Sequence, residues 1–448
     1  MKLRAIARYG IRSVPGDERV VIEAFRRGAA ISGPAIGEFE ARFAAYHAVA
    51  HAVATSYGRM ACYYILRALD LAPGSEVIVP ALTFWVVPEM VRRAGLRPVF
   101  VDVDARTFNI APEKIEAAIT CRTRAILPTH LYGQPCQMEP ILRLAEKYDL
   151  AVIEDCAQAV GARYRGRLVG TFGTAAFFSF QMLKGINTYG GGMAITDDAA
   201  LAARIRAQVE AEPPPSTSEL ARRFALGYLA RCAISPRGYA LWGFPLQAAV
   251  SLFGHYDLSR FVWEKIRPLA PFPAAYHRRY TNAQAMLGLR ALAQLDDANA
   301  RTRAHAERYT RALANHRQVR APAVIADAEH VYYQYSIYVS DPARTARRMI
   351  RRAIDCETTH VDLCSELPLF AEFAADCPGA RQTTRALQLP VYARLHDEDV
   401  ERVLRVLCEV TADLPELSQE ILSASNLAHR AQRSGAALDR TRANASLK

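Results

Sequence analysis

The sequence predicts an α/β protein whose larger part is a mostly parallel β-sheet with helices on both faces. Three observations predict this fold class. Short apolar runs rich in β-branched residues alternate with amphipathic stretches between about residues 50 and 200. The chain has 448 residues, enough for two or more domains, and 51% of them are hydrophobic. Strands that alternate with helices in this way are typical of parallel sheets.

The positions of the predicted strands determine where a site is expected. They are EVIVPAL (76–82), RPVFVDV (97–103), RAILPTHL (124–131) and LAVIEDC (150–156). Between them lie ACYYILRAL, VPEMVRRAG and MEPILRLAEKYD, with apolar residues at helical spacing. Ligands bind at the carboxyl ends of the strands in such sheets. We therefore expect a site built from residues 80–83, 129–134 and 155–158.

Changes in composition divide the chain into four parts. Residues 1–210 are the predicted large domain, and residues 211–275, which begin near a Pro-Pro-Pro run, are an insertion. Residues 276–417 are predicted to form a long helix and a small carboxy-terminal α/β domain. That domain would hold a strand at 332–340, a helix at 343–354 and a helix starting near His396. Residues 418–448 are rich in Ala, Ser and Arg and are expected to be a flexible tail.

Charge and cysteine content exclude several classes of protein. The 56 Lys and Arg exceed the 45 Asp and Glu, but no zinc-finger or RNP-like pattern supports nucleic-acid binding. Eight of the eleven excess positive charges fall in residues 211–280 and 418–448. Nine cysteines without a C-x-x-C pair argue against a zinc site and a disulfide framework, and for a reducing compartment. We expect a cytoplasmic protein without a metal ion.

One lysine follows an apolar strand and precedes a glycine cluster. The run FFSFQMLK ends at Lys184, and glycines 190–192 follow. A lysine in apolar surroundings has a lowered pKa and can form a Schiff base with an aldehyde cofactor. The glycines would let the backbone approach that cofactor closely. Taken alone, a loop lysine is more often a solvated charge.

Two further elements favour a pyridoxal phosphate (PLP) site. Asp155 ends the strand AVIED, where a carboxylate can pair with a pyridine nitrogen; otherwise it would cap a following helix. The segment SYGRMA (56–61) stands before a helix. Gly58 there would expose backbone N–H groups to an anion, and Arg59 would add a charge-assisted bond to phosphate.

In order and spacing, these elements resemble one family. The remaining markers are GPAIGEFEARFA (33–44), GSEVIVPALTF (74–84), PVFVDVD (98–104), HLYGQP (130–135), IEDCAQAVGA (153–162) and VGTFGTAAFFSF (169–180). With Lys184 they make the chain similar to the DegT/DnrJ/StrS-type PLP-dependent nucleotide-sugar aminotransferases. The resemblance covers roughly residues 10–210 and 276–412. It implies the aspartate-aminotransferase fold (type I) with PLP as cofactor.

The resemblance also implies roles for individual residues. Lys184 would hold PLP and move the proton between donor and cofactor. Asp155 would pair with the ring nitrogen, and Gln158, expected on the same helical face, would bind the phenolic oxygen. The remaining cofactor contacts would be Phe84 stacking on the ring, with Trp85 as the alternative, and Gly58, Arg59 and Ser179 holding the phosphate. Ordinary core packing is the competing interpretation of Phe84 and Ser179.

Some positions depart from the family pattern. Arg59 stands where the family commonly has Thr, and Asn282 is only a candidate for the residue that reaches the phosphate of a partner subunit. His130 and Tyr132 match the family motif and would line the site, although a purely structural histidine fits as well. Members with His at the position of Lys184 resemble dehydratases, so the lysine favours amino transfer.

The insertion is the largest departure. Residues 221–234 have helical spacing, and the apolar residues Trp242, Phe244, Leu252 and Phe253 cluster in an uncharged stretch. One interpretation is an enlarged flap at a dimer interface. The other is a membrane-surface element across 221–256, with the insertion's arginines facing anionic lipid: Arg222, Arg223, Arg231 and Arg237.

These expectations combine into one predicted activity. The resemblance implies that the protein moves an amino group, with glutamate as the expected donor, to a keto-sugar carried on a nucleotide, in polysaccharide or glycoconjugate biosynthesis. The resemblance implies a homodimer with shared active sites. Two alternatives stay open: a PLP-dependent sugar dehydratase, and a sensor that binds PLP or sugar without turnover.

Overall fold

The structure is a computed structural model that describes residues 5–235, 238–251, 265–358 and 361–417. Its strands are β1 (His51–Thr55), β2 (Glu76–Pro80), β3 (Leu82–Thr83), β4 (Arg97–Val101), β5 (Thr123–Ile126), β6 (Ala151–Asp155), β7 (Arg163–Tyr164), β8 (Arg167–Leu168), β9 (Ala175–Ser179), β10 (Gly192–Thr196), β11 (Val319–Arg320), β12 (Ala328–Glu329), β13 (Tyr335–Val339), β14 (Glu357–Thr358), β15 (Asp362–Leu363) and β16 (Ala386–Leu389).

Its helices are α1 (Asp17–Arg26), α2 (Ala35–His47), α3 (Gly58–Ala68), α4 (Val86–Arg93), α5 (Pro112–Ile115), α6 (Met138–Tyr148), α7 (Ala199–Glu210), α8 (Thr217–Ile234), α9 (Phe244–Ser251), α10 (Asn282–Leu292), α11 (Leu295–Leu313), α12 (Pro342–Arg351), α13 (Pro378–Gln382) and α14 (Asp397–Thr411). A π-helical turn, Tyr239–Gly243, precedes α9.

A seven-stranded sheet forms the centre of the larger part, in the order β1-β10-β9-β6-β5-β2-β4. The five strands from β9 to β4 are parallel, whereas β10 runs antiparallel to both β9 and β1. The four strands predicted from apolar runs are all present, as β2, β4, β5 and β6. The predicted fold class, an α/β protein with a mostly parallel sheet, is confirmed.

Strand β2 shows why the sheet is covered on both faces. All five of its residues are buried. Val77 and Val79 pack on the side of α3 and α4, and Ile78 packs on the opposite side with Ile141 of α6. Because alternate side chains of a strand point to opposite faces, a continuous apolar run requires helices on both.

The small carboxy-terminal sheet has the order β11-β13-β16-β14 and its described pairings are antiparallel. Tyr309 of α11, Met349 of α12 and Val403 of α14 are buried against Ile337 and Leu387 of this sheet. The strand expected at 332–340 forms over Tyr335–Val339, and the two expected helices form as α12 and α14.

The amino-terminal segment packs against this small domain. The Ile6 N–H donates to the Ala353 carbonyl at 2.9 Å, and the Asp355 N–H donates back to the Ile6 carbonyl at 2.9 Å. The predicted boundary places residues 5–8 in the large domain, but their backbone bonds lie more than 300 residues further along the chain. No local pattern signals such a pairing. The predicted boundaries between the four parts stay predictions.

The insertion begins with a well-capped helix. The Ser216 hydroxyl accepts from the Glu219 N–H, and the Glu219 carboxylate accepts from the Ser216 N–H. Leu220 and Phe224 of α8 are buried beside Tyr189, so the helix packs onto its own chain. Leu252, Phe253, Arg237 and the predicted tail at 418–448 lie outside the described residues. Among the residues that are described, no helix has the length and apolar character needed to span a bilayer.

Candidate active site

A cavity of about 540 Å³ opens at the carboxyl ends of β6 and β9. This is the edge of the sheet where the predicted topology places a ligand. Its volume lies within the range typical of small-molecule sites. Seven of the eight predicted site residues line it: Gly58, Arg59, Phe84, Asp155, Gln158, Ser179 and Lys184.

Asp155 is the last residue of β6, and its side chain is almost completely buried. Its Oδ1 accepts from the Ala157 N–H at 3.0 Å, and its Oδ2 accepts from the Thr129 hydroxyl at 3.3 Å. Burial raises the pKa of the carboxyl, while the Ala157 N–H and the charge of Lys184 act in the opposite direction. A buried carboxylate at this place can stabilise a proton on a neighbouring ring nitrogen.

Lys184 lies in the loop after β9, where its N–H donates to the Gln181 carbonyl at 2.9 Å. Its Nζ is 4.6 Å from the centre of the Tyr333 ring. Burial lowers the pKa of Lys184 to about 8, the Asp155 carboxylate raises it, and the Arg59 charge lowers it. A lysine with such a pKa has a substantial neutral, nucleophilic fraction near neutral pH.

The amino terminus of α3 forms one end of the cavity. Gly58 opens the helix, whose N-cap residue, Tyr57, provides no side-chain cap. A methyl group at Gly58 would lie 2.8 Å from the Phe178 carbonyl oxygen and 2.8 Å from Ser179 Cβ. Only glycine therefore lets the helix start approach β9 this closely. Helix N-termini attract anions, and Ser179 adds a hydroxyl at the same end.

Aromatic rings surround the Arg59 guanidinium. It lies 4.9 Å from the centre of the Tyr276 ring, 5.8 Å from that of Phe84 and 5.9 Å from that of Tyr57. Arg59 also donates a hydrogen bond to the Tyr276 hydroxyl. These contacts fix the guanidinium beside the helix N-terminus, where it adds positive charge to the anion site.

Phe84 and Trp85, the two candidate aromatic residues, have different surroundings. Phe84 is half-buried and lines the cavity, whereas Trp85 is buried in the core formed with α3 and α4 and does not line it. The geometry therefore favours Phe84 as the residue that contacts a ring in the cavity. Its stacking role stays a prediction.

Gln158 lines the cavity, but it is not on a helix. Residues 156–162 form turns after β6, so the expected helical spacing from Asp155 is wrong and Asp155 caps no helix. The Gln158 Oε1 accepts from the Tyr132 N–H at 2.8 Å. Because this bond holds the amide oxygen, the amide nitrogen is the group available for an acceptor in the cavity.

His130 and Tyr132 do not line the cavity, which corrects their predicted position. His130 is fully buried, and its Nδ1 accepts from the Cys136 N–H at 2.9 Å. Its Nε2 therefore carries the hydrogen and donates to the Glu154 Oε2 at 3.0 Å. The Tyr132 ring packs edge-on against Phe108, 5.3 Å between centroids. Both residues support the strand ends around the site.

The glycines after Lys184 also have a different role from the predicted one. They do not line the cavity. A methyl group on Gly191 would lie 2.3 Å from the Tyr280 ring, and one on Gly192 would lie 2.4 Å from the Gly58 nitrogen. Gly191 has a φ of 112°, a conformation that favours glycine. These residues let the loop pack against α3 and the residues before α10.

Asn282 does not line the cavity of its own chain. Its Oδ1 accepts from the Ala35 N–H at 2.9 Å and its Nδ2 donates to the Ala29 carbonyl at 2.7 Å. The side chain thus secures the start of α2. Its predicted contact with a partner subunit's phosphate stays a prediction.

Some cavity residues had no predicted role. Thr129 belongs to the predicted 129–134 segment, and its hydroxyl donates to the Asp155 carboxylate. Tyr333 precedes β13, and Tyr239 belongs to the insertion. No local signal connects either residue with Lys184, because both reach the site through long-range packing.

Comparisons with known proteins identify the family of the chain. The model of the DegT/DnrJ/EryC1/StrS aminotransferase family matches residues 15–408. The chain is 34% identical to a GDP-perosamine synthase of Caulobacter vibrioides over 390 residues, covering 84% of this chain and 90% of that protein.

Two further relatives agree with the family match. A UDP-N-acetyl-3-dehydro-α-D-glucosamine 3-aminotransferase of Acidithiobacillus ferrooxidans is 32% identical, covering 82% of this chain and 86% of its own. The crystal structure of S. venezuelae DesV superposes with a TM-score of 0.70 at 28% identity, covering 89% of this chain and 95% of that one. The chain therefore belongs to the DegT/DnrJ/EryC1/StrS aminotransferase family.

Proposed function

We propose that the protein is a PLP-dependent aminotransferase that moves an amino group from glutamate to a nucleotide-linked keto-sugar, in polysaccharide or glycoconjugate biosynthesis. The observation that carries the proposal is that Lys184, Asp155 and the α3 amino terminus face one cavity. The names of the relatives, a GDP-perosamine synthase and a UDP-sugar aminotransferase, support the substrate class.

The residues of the cavity fit PLP. The close approach of Gly58 to β9 leaves a helix N-terminus for the phosphate, with Arg59 and Ser179 beside it. The buried Asp155 carboxylate matches a protonated ring nitrogen at the other end. When bound, PLP supplies an aldehyde for the amino group and a ring that withdraws electrons.

The chain's own groups then have defined tasks. The neutral Lys184 amine would hold the cofactor and then move a proton at the Cα of the donor. Asp155 would keep the proton on the ring nitrogen, and the Gln158 amide nitrogen would bind the phenolic oxygen. Phe84 would pack against the ring and Arg59 would bind the phosphate, which would keep the reacting atoms oriented towards Lys184.

The test follows both halves of the reaction. PLP-loaded protein should lose its visible absorbance band with L-glutamate and release 2-oxoglutarate. A panel of nucleotide-linked keto-sugars is then screened for one that restores the band. Lys184→Ala should abolish both changes, whereas Lys147→Ala, an exposed lysine paired with Glu116, should leave both intact.

Glutamate with an isotopically labelled amino nitrogen separates the alternatives. A product whose sugar carries the labelled amino nitrogen establishes amino transfer, and a dehydrated sugar without that nitrogen would show a dehydratase instead. A visible band that no glutamate or keto-sugar alters would indicate a PLP-binding sensor. If Lys184→Ala kept the band of the wild type, the role of Lys184 would be wrong.

We further propose a homodimer with shared sites, in which Asn282 contacts the partner subunit's phosphate. The resemblance to the family supports this arrangement. Mixed dimers of Lys184→Ala and Asn282→Ala protein should regain roughly a quarter of wild-type activity, because half of the dimers then contain one intact site. No regain after subunit exchange would contradict a shared site.

A cytoplasmic location is also proposed. All nine cysteines are free thiols in the structure, which fits a reducing compartment. Denatured protein from its native source, alkylated without reductant, should therefore carry nine modified cysteines. Cysteines left unmodified because they are paired in disulfides would contradict this location.

A further inference from the structure

The described part of the insertion exposes a concentrated apolar surface. Nine large hydrophobic side chains are exposed among the described residues, and five of them fall between residues 226 and 246. They are Leu226, Leu229, Leu241, Trp242 and Leu246, with 59–76% of their surface exposed. Contiguous apolar patches are rare on soluble monomers and mark binding surfaces.

This surface has two adjacent parts. On α8, Leu226 and Leu229 lie one turn apart, and Arg222 precedes Leu226 by four residues, so all three share a face. The π-helical turn and α9 carry the other three side chains. Tyr239 of the turn packs with Ile234 at the end of α8, which joins the two parts.

Helix α8 is apolar on its inner face as well. Leu220 and Phe224 are buried against the chain, so α8 lacks the polar outer face of an ordinary surface helix. Two of its arginines are bonded inward, which corrects their predicted orientation towards lipid. Arg223 donates to the Tyr57 hydroxyl at 3.1 Å, and Arg231 pairs with Glu18 of α1.

The charge around the surface is positive. From Leu220 to Tyr256 the sequence has four arginines and no Asp or Glu, but Arg223 and Arg231 are bonded inward and Arg237 lies outside the described residues. Arg222 is exposed on α8. Helix α1 runs antiparallel beside α8, because Phe25 near its end packs against Phe224 and Glu18 near its start pairs with Arg231. The exposed Arg26 therefore lies near Arg222.

We propose that α8, the π-helical turn and α9 form a docking surface for an anionic phospholipid bilayer. Exposed leucines and a tryptophan beside cations are the side chains that bind at such an interface. If this surface paired with the same surface of a second copy, the exposed Arg222 and Arg26 of the two copies would be brought together. The proposal does not depend on the reaction proposed above.

Docking at this surface would bring the active-site cavity close to the bilayer. Ala233 and Ile234 at the end of α8, and Tyr239 and Gly243 in the π-helical turn, line that cavity. Leu241 and Trp242 lie between the last two. The turn that carries the exposed Leu241 and Trp242 therefore also forms part of the cavity wall.

The test uses full-length, PLP-loaded protein and sedimentation with phospholipid vesicles. We expect binding to equimolar phosphatidylcholine and phosphatidylglycerol, weakened at high salt, and at least about 10-fold weaker binding to phosphatidylcholine alone. Leu229→Glu combined with Trp242→Glu should weaken binding about 100-fold, roughly tenfold for each apolar side chain removed. The matched control is Val324→Glu, which alters an exposed aliphatic residue outside the insertion.

Fluorescence tests the contact directly. Brominated lipid chains should quench the tryptophan fluorescence of wild-type protein. Trp242→Phe should remove most of this quenching and leave sedimentation with vesicles unchanged. Several results would overturn the proposal: no sedimentation of wild type, equal binding to neutral vesicles, or unchanged binding of the double variant. A double variant that changes the oligomeric state instead would assign the surface to a subunit contact.

Discussion

Two charges act in opposite directions on the amine of Lys184, and this predicts a pair of variants with opposite effects. The Asp155 carboxylate raises the pKa of Lys184 and the Arg59 guanidinium lowers it, while burial sets its depressed value of about 8. In cofactor-free protein, Asp155→Asn should therefore lower the pKa of Lys184. Arg59→Gln should raise it.

The depressed pKa has a large effect on the reactive form. At about pH 7.5, roughly a quarter of an amine with a pKa of about 8 is neutral, against roughly 0.1% of an ordinary lysine. The site thus increases the neutral fraction roughly 200-fold before any cofactor binds. The same shift brings the midpoint of the titration close to neutral pH.

The composition of the chain makes the assay practical. It has only six lysines: Lys2, Lys114, Lys147, Lys184, Lys265 and Lys448. Reductive methylation with labelled formaldehyde gives one NMR signal for each, and Lys184→Arg identifies the signal of the site. The signal of Lys147 is the internal reference, because its bond to Glu116 raises the pKa of that exposed amine.

A signal assigned to Lys184 that titrates at or above pH ~10 would refute the reasoning, because burial would then not control the amine. Shifts of the same sign in Asp155→Asn and Arg59→Gln would refute the assignment of the two charges. Equal movement of the Lys147 signal would show a change in the whole protein rather than in the site.

Three further predictions concern the surroundings of the site, measured by urea unfolding and PLP titration. Gly58→Ala should destabilise by about 1–3 kcal/mol and weaken PLP binding, because its methyl group would contact the neighbouring strand at 2.8 Å; Gly37→Ala, which has open space, should not. Glu154→Gln should destabilise by about 3 kcal/mol, since the buried carboxylate accepts from three backbone N–H groups and a histidine; an unchanged unfolding midpoint would contradict this. Phe84→Ala should weaken PLP binding more than stability, whereas Trp85→Ala should cost about 3–5 kcal/mol in stability; the reverse pattern would exchange their roles.

The residues at strand ends could be predicted because their position follows from the strand itself. Asp155 and Ser179 are the last residues of β6 and β9, and a parallel sheet brings such ends to one edge. Gly58 could be predicted for a similar reason, since the start of a helix binds anions wherever it lies. The family resemblance then assigned roles that position alone leaves open.

The residues that sequence reasoning misplaced depend on contacts between distant segments. Gln158 reaches the cavity through a turn held by the Tyr132 N–H, so a rule for helices did not apply to it. His130 satisfies both of its nitrogens with Cys136 and Glu154, and nothing in the HLYGQP motif reveals the second bond. Tyr333 comes from the small domain, far along the chain from Lys184.

The surface that a charged residue faces is equally hard to predict from sequence, as the arginines of the insertion show. Their excess suggested an outward-facing basic surface, yet Arg223 bonds Tyr57 and Arg231 bonds Glu18, 166 and 213 residues away. A guanidinium offers several donors, and a hydroxyl or carboxylate of the same chain within reach competes with solvent for them. Arg223 therefore connects the insertion to the residue preceding Gly58, and the insertion supports the anion-binding end of the cavity. The number of cations in a segment can be counted from the sequence, but the surface they serve depends on which acceptors the fold brings to them.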